Sequence, residues 1–152
     1  MTQIIAAFLL GSLAFLSAGL WEEDTAKRAA STAADAQHFA WYRGVVQSLT
    51  HNNKGLLVGA INDNNLTFPQ GMNAPAFSHE ARLHGDGYVY VWSEQDAAFY
   101  RQVIAVDPDS YALCRVLESR RCVSYRSNES VLTALQTPPF IPAGSTVYVW
   151  KY

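Results

Sequence analysis

The residue run with the most chemical promise is His79-Glu80-Ala81-Arg82-Leu83-His84. It approximates the HExxH pattern of zinc hydrolases, in which two histidines four apart share one helix face and the glutamate acts as general base. Here the second histidine comes one residue too late. That offset turns it by about 140° on a helix, so the two imidazoles diverge. Gly85 and Gly87 also speak against a helix, and the expectation is a pair of solvated loop histidines with no metal. His38 and His51 lie on or beside a helix without a carboxylate at useful spacing. Asp63, Asp86, Asp107 and Asp109 sit in turn contexts, none with calcium-loop spacing. No nucleophile elbow, phosphate loop or dinucleotide fingerprint occurs. Asn128-Glu129-Ser130 has the form of a glycosylation sequon, which matters only in a eukaryotic secretory pathway. The chain therefore reads as a protein without catalytic residues or cofactor.

Cys114 and Cys122 flank the seven residues RVLESRR. That is no zinc spacing, and no nearby histidine completes a ligand set. In an oxidising compartment the pair is expected to bridge a hairpin and pin its register; facing a reducing one, both would stay thiols.

The elements that must carry these residues begin with an apolar run. Ile4 to Trp21 holds eighteen uncharged residues, with Ser12 and Ser17 the polar interruptions. As a helix it spans roughly 27 Å, close to the hydrocarbon thickness of a bilayer. Ser17 and Gly19 offer a small pair for signal cleavage before Leu20. The apolar run continues past them, however, and Trp21 suits the interface of a retained helix. We expect an uncleaved anchor with the amino terminus inside and the domain outside, the acidic Glu22, Glu23 and Asp24 counting for little in orientation. Lys27 and Arg28 pull weakly the other way.

From Glu22 to about Thr50 there is no proline, and alanine is frequent, which predicts that the helix continues. Phe39, Tyr42, Val46 and Leu49 recur at three- and four-residue intervals as one stripe that must be covered. Ala26, Ala30, Ala33 and Ala40 make a small-residue track roughly aligned with that stripe. The run HNNKG ends the helix, with Gly55 as cap. Strands are predicted at Leu56–Ile61, Tyr88–Trp92, Tyr111–Leu117, Arg121–Tyr125 and Thr146–Tyr152, with a loop-rich stretch over 66–87. Phe99–Val106 fits either strand or helix, and Asn128–Leu135 fits a short helix. The fold class is α+β: an N-terminal transmembrane helix running into a long helix, packed on a mainly antiparallel sheet. The expected divisions are an anchor at 1–21, a helical extension at 22–54 and a periplasmic α+β domain at 55–152.

Val89-Tyr90-Val91-Trp92 recurs verbatim as Val147-Tyr148-Val149-Trp150. Side chains alternate along a strand, so each copy has a valine side and an aromatic side. The plainer expectation sets both copies in one sheet, valines under the long helix and aromatics half exposed. The functional one makes Tyr88, Tyr90, Trp92, Tyr148, Trp150 and Tyr152 a docking face for another protein, because Tyr and Trp are enriched in interface hot spots. A formal net charge of −2 with scattered basic residues shows no nucleic-acid footprint.

A chain of this length with an amino-terminal anchor, a long Ala-rich helix, a Gly/Pro-punctuated middle leading into GYVYVW and a terminal VYVWKY resembles the small PilM proteins of plasmid-type (type IVB) thin pili. These are distinct from the actin-like cytoplasmic protein of the same name. The resemblance covers essentially the whole chain, through aromatic strand tracts rather than catalytic signatures. It implies an inner-membrane component of pilus biogenesis in a conjugative system, single-pass, with other pilus-assembly proteins as partners and no catalytic residues. A minor pilin is the competing subunit role. Pilins carry a basic leader and a glutamate inside the apolar stretch, whereas Glu22 and Glu23 here follow it. The apolar run also admits a cleaved, exported binding domain or hydrolase, or an inverted anchor with a cytoplasmic domain.

Overall fold

The structure, a computed structural model, describes residues 2–68, 79–124 and 135–152, with side chains from residue 25 onward. Helix α1 (Thr2–Asn52) runs unbroken for 51 residues. It stops where predicted: Asn53 N–H still bonds back to the Leu49 carbonyl, and its side chain then accepts from Gly55 N–H. Residues 25–31 of the helix are solvent-exposed, and burial begins in earnest at Asp35 and Ala36. Phe39, Tyr42 and Val46 are fully buried and Leu49 half-buried, so the predicted stripe is the face that meets the sheet.

Strands β1 (Gly59–Ala60), β2 (His79–Leu83), β3 (Tyr88–Ser93), β4 (Leu113–Val116), β5 (Cys122–Val123) and β6 (Thr146–Lys151) form one sheet in the order β1-β2-β3-β6-β4-β5. Every pairing is antiparallel. Helix α2 (Ala97–Val106) packs beside α1 on the same side of the sheet. The Asp96 carboxylate caps it, accepting from Ala98 and Phe99 N–H at 2.9 and 3.0 Å, which resolves the strand-or-helix ambiguity of Phe99–Val106. The α+β class, with a long helix on an antiparallel sheet, stands.

Two expectations change. The predicted strand Leu56–Ile61 shrinks to Gly59–Ala60, with Leu57 and Val58 exposed. Conversely, the stretch read as loop holds β2, because Asp86-Gly87 is a hairpin turn. His84 N–H bonds to the Tyr88 carbonyl, Gly87 N–H to the His84 carbonyl, and Gly87 takes φ +83°, which only glycine adopts freely. Among the described residues no helix is long and apolar enough to cross a membrane. The side chains of the run 4–21 lie outside the described residues, as do the segment 125–134 with its short-helix expectation and sequon, and residues 69–78.

The sheet has a core on each side. Toward the helices lie Val89, Val91, Leu113 and Tyr148 with Phe39, Tyr42, Phe99 and Val103. On the far side Tyr90, Trp92, Cys114, Val116, Val147 and Val149 pack under Ile141 and Phe140. The segment that covers them is held by Arg120, whose guanidinium donates to the Pro138 and Ile141 carbonyls at 2.7 and 2.8 Å. Thr137 returns a backbone bond to the Arg120 carbonyl at 2.8 Å.

Candidate functional site

The six aromatic residues singled out as a docking face do not share one. In the β3–β6 pair Tyr90 stands opposite Val149, Trp92 opposite Val147, and Tyr148 opposite Val91. Residues directly opposed across an antiparallel pair point to the same side of the sheet. Tyr90, Trp92, Tyr148 and Trp150 therefore each neighbour a valine, and the two copies present their rings to opposite faces. Valines lie under the helices in β3, as the plainer expectation had it, but in β6 the aromatics do. Nor are all of the rings open to solvent. Tyr90 and Tyr148 are fully buried and Trp92 is 4% exposed, while Tyr88 and Trp150 are half-buried and Tyr152 is exposed at 38%. Of the six, those left with accessible surface are Tyr88 at one margin and Trp150 with Tyr152 at the end of β6.

The buried tyrosines end on turn aspartates, a role the sequence spacing did not reveal. Tyr42 donates to Asp63 at 2.9 Å, Tyr90 to Asp86 at 2.7 Å and Tyr148 to Asp107 at 3.1 Å. In all three, burial first and the neighbouring carboxylate second hold the phenol above its ordinary range. Asp107 also pairs with Arg43, whose guanidinium lies over the Tyr148 ring at 5.0 Å. Helix α1, the end of α2 and β6 are thereby joined through one carboxylate. These are structural hydrogen bonds, each turn aspartate fixing a ring of the core.

The histidines also depart from expectation. His79 lies on β2, 6% exposed, facing α1 between Phe39 (4.9 Å), Tyr42 (5.7 Å) and His38 (5.8 Å). Neither of its ring nitrogens has a hydrogen-bond partner, and burial, then the charge of His38, pushes its pKa down to about 4. Nearby Asp35 is raised from its ordinary value by burial, against an opposing pull from His38. His84 packs on the far side, half-buried against Phe140 and Tyr90. The two histidines of the near-motif thus lie on opposite sides of the sheet. Among the described residues no group of three or more His, Cys, Asp or Glu side chains is placed to hold a metal.

Cys114 and Cys122 are joined in a disulfide between β4 and β5, their Cα atoms 5.5 Å apart. Both are fully buried in the far-side core. At the other end of the sheet, Trp150 and Tyr152 reach the end of α1. The Trp150 indole N–H donates to Thr50 Oγ1 at 3.4 Å, and the Tyr152 hydroxyl donates to the Asn53 carbonyl at 2.6 Å while accepting from Leu56 N–H at 3.0 Å.

A long helix laid on a six-stranded antiparallel sheet, with structural polar contacts and a bridged hairpin, defines an α+β protein. The PilM family profile matches residues 5–149, and the chain belongs to the PilM family. It is similar in fold to a crystal structure described as PilM from Escherichia coli B7A, with a TM-score of 0.58 and 17% sequence identity, covering 80% of this chain and 93% of that one. Among curated proteins no significant match is found. The family supports a protein of pilus biogenesis.

Proposed function

We propose that the chain is an inner-membrane-anchored assembly component of a type IV thin, conjugative pilus, acting through contacts with other pilus-assembly proteins. The observation that carries this reading is the continuity of α1. One helix holds the apolar run of residues 4–21 at one end and the core-facing stripe from Phe39 to Leu49 at the other. Between them, residues 25–34 are almost wholly exposed, about 15 Å of helix that sets the folded part off the bilayer. A single pass with the C-terminal domain in the periplasm also suits the disulfide, since bridges persist in oxidising compartments. The buried phenols of Tyr42, Tyr90 and Tyr148 are engaged in structural bonds to Asp63, Asp86 and Asp107, which suits a rigid folded part that works by contact.

Complementation tests the reading. A pilus-competent strain lacking the gene receives either the full chain or a version whose residues 4–21 are exchanged for a cleavable signal peptide. Pili restored by the anchored form and not by the released one are expected. Equal restoration by the released, soluble form contradicts the anchored reading and favours an exported domain.

A further inference from the structure

Helix α1 carries a feature that the fold does not use. Trp41 stands on its solvent side, 50% exposed, away from the stripe of Phe39, Tyr42 and Val46 that meets the sheet. Three residues on, and so beside it on the same flank, comes Gly44. Glycine destabilises a helix interior relative to alanine. Nothing inside the molecule calls for it here: its φ is not positive, and a methyl group in its place would meet no atom within 4 Å. The pair belongs to a longer seam. Ala30, Ala34, Gln37, Trp41, Gly44 and Ser48 follow at alternating steps of four and three. That is a repeat of about 3.5 residues, the spacing at which two parallel helices keep one line of contact. All are exposed but Gly44, which is half-buried.

Charge and shape say what covers this seam. A two-fold axis between copies sets each residue near its own counterpart, so any charge on such a face repels itself. From Ala29 to Asn52 the formally charged residues are Asp35 and Arg43, and both lie off the seam. Asp35 is buried, and Arg43 is paired with Asp107. A charged partner therefore finds no complement on the seam, whereas a second copy meets no repulsion. The seam is also complementary to itself. Trp41 projects, and the small side chains at Ala40 and Gly44 leave a recess next to it. In a parallel pair the ring of one copy enters the hole that Gln37, Ala40 and Gly44 of the other provide.

We propose that two copies of the chain pair in parallel along this face of α1, Trp41 of each seated over Gly44 of the other. The pairing rests on the anchored reading for its direction. Helices tethered in one membrane emerge the same way up, with Trp41 roughly 30 Å above the bilayer in both. Confinement to the membrane also raises the effective concentration of each copy for the other. The sheet lies against the opposite side of α1, so the folded parts do not obstruct the contact.

Cysteine cross-linking of the full chain in native membranes tests the pairing. Both native cysteines are bridged, so an introduced one is the lone free thiol. Copper-phenanthroline oxidation should link Ser48→Cys, and separately Ala34→Cys, into a species of twice the chain mass. Ala29→Cys and Glu118→Cys, exposed positions off the seam, should stay monomeric. Two differently tagged copies expressed together should be isolated jointly through either tag. In the Ser48→Cys background, Gly44→Leu should lower the linked fraction about tenfold, and Trp41→Ala by a similar factor. The Gly44→Leu variant should melt no lower than its parent, since leucine is the better helix former and faces open space. Equal linking at all four positions, linking unmoved by Gly44→Leu and Trp41→Ala, or a linked species of another mass would each overturn the proposal. The last would assign the face to a different protein. If no position links while the chain resists alkaline extraction from the membrane, the pairing falls and the anchored reading stands. If the chain is recovered soluble and still links through Ser48→Cys, the anchored reading falls and the pairing stands.

Discussion

In β3 the tyrosine and tryptophan of Val-Tyr-Val-Trp point away from α1 and lie beneath Phe140, whereas in β6 the same two residue types point at α1 itself. Identical tetrapeptides thus serve opposite layers of one sheet. The difference teaches that alternation within a strand settles which residues share a side, but the register against its neighbour settles which side that is. Setting ring against valine across the pair also matches large side chains with small ones on both faces, which keeps each layer closely packed.

The comparison is broken most severely at the fully buried rings. Tyr148→Ala removes an aromatic side chain from the helix-side core and leaves Asp107 with one partner fewer, and should cost about 4 kcal/mol. Trp92→Ala, its counterpart under Phe140, should cost about 3 kcal/mol or more. Both are read from urea melts. A Trp92 variant of unchanged stability would return that ring to the surface and restore it as a docking candidate.

Acid should weaken the helix-side layer selectively. His79 titrates near pH 4 in the fold against an ordinary 6.5, so the unfolded chain takes up the proton first. Its contribution is complete above about pH 6.5 and is lost as the pH falls from there toward 4, by at most about 3 kcal/mol. Asp35, whose carboxyl is raised by burial, acts in the opposite sense at the acid end of that window. Replacing His79 with Gln should flatten the dependence of the urea midpoint on pH, and an unchanged slope would move its origin elsewhere.

The far-side layer carries the covalent link instead. Cys114→Ser with Cys122→Ser should cost about 2.5 kcal/mol by chain entropy for so short a loop. The loss should be nearly independent of pH, in contrast to the helix side, and thermal melts across the same pH range check it. Smallest is the effect at the exposed end of β6. Tyr152→Phe removes the hydroxyl's bonds to the Asn53 carbonyl and the Leu56 N–H at a solvent-exposed site and should cost about 1 kcal/mol, while Tyr148→Phe should cost a similar amount for its bond to Asp107. Both are resolved by comparing denaturation midpoints.

Much of this arrangement was open to a reader of the sequence. The stripe Phe39, Tyr42, Val46, Leu49 named the buried face of α1, since helical periodicity is a local property. The hairpin that Cys114 and Cys122 close, and the final strand, followed from turn residues and alternation. Asp86-Gly87 between HEARL and YVYVW carried a hairpin signal as well, but the near-match to a zinc motif and the surrounding glycines drew attention to loops. What stayed hidden depends on distant pairing. No single sequence states that Tyr90 faces Val149, that Pro138–Ile141 folds back over Trp92, or that Trp150 and Tyr152 reach the end of α1.

The central claim is that the leading apolar segment is a permanent tether for a folded part that works by contact. Alkaline carbonate extraction of native membranes, followed by intact mass of the protein recovered, tests this most directly. The chain is expected in the membrane pellet at its full mass, including residues 4–21. Recovery in the soluble fraction, shortened to a start near Leu20, would contradict it.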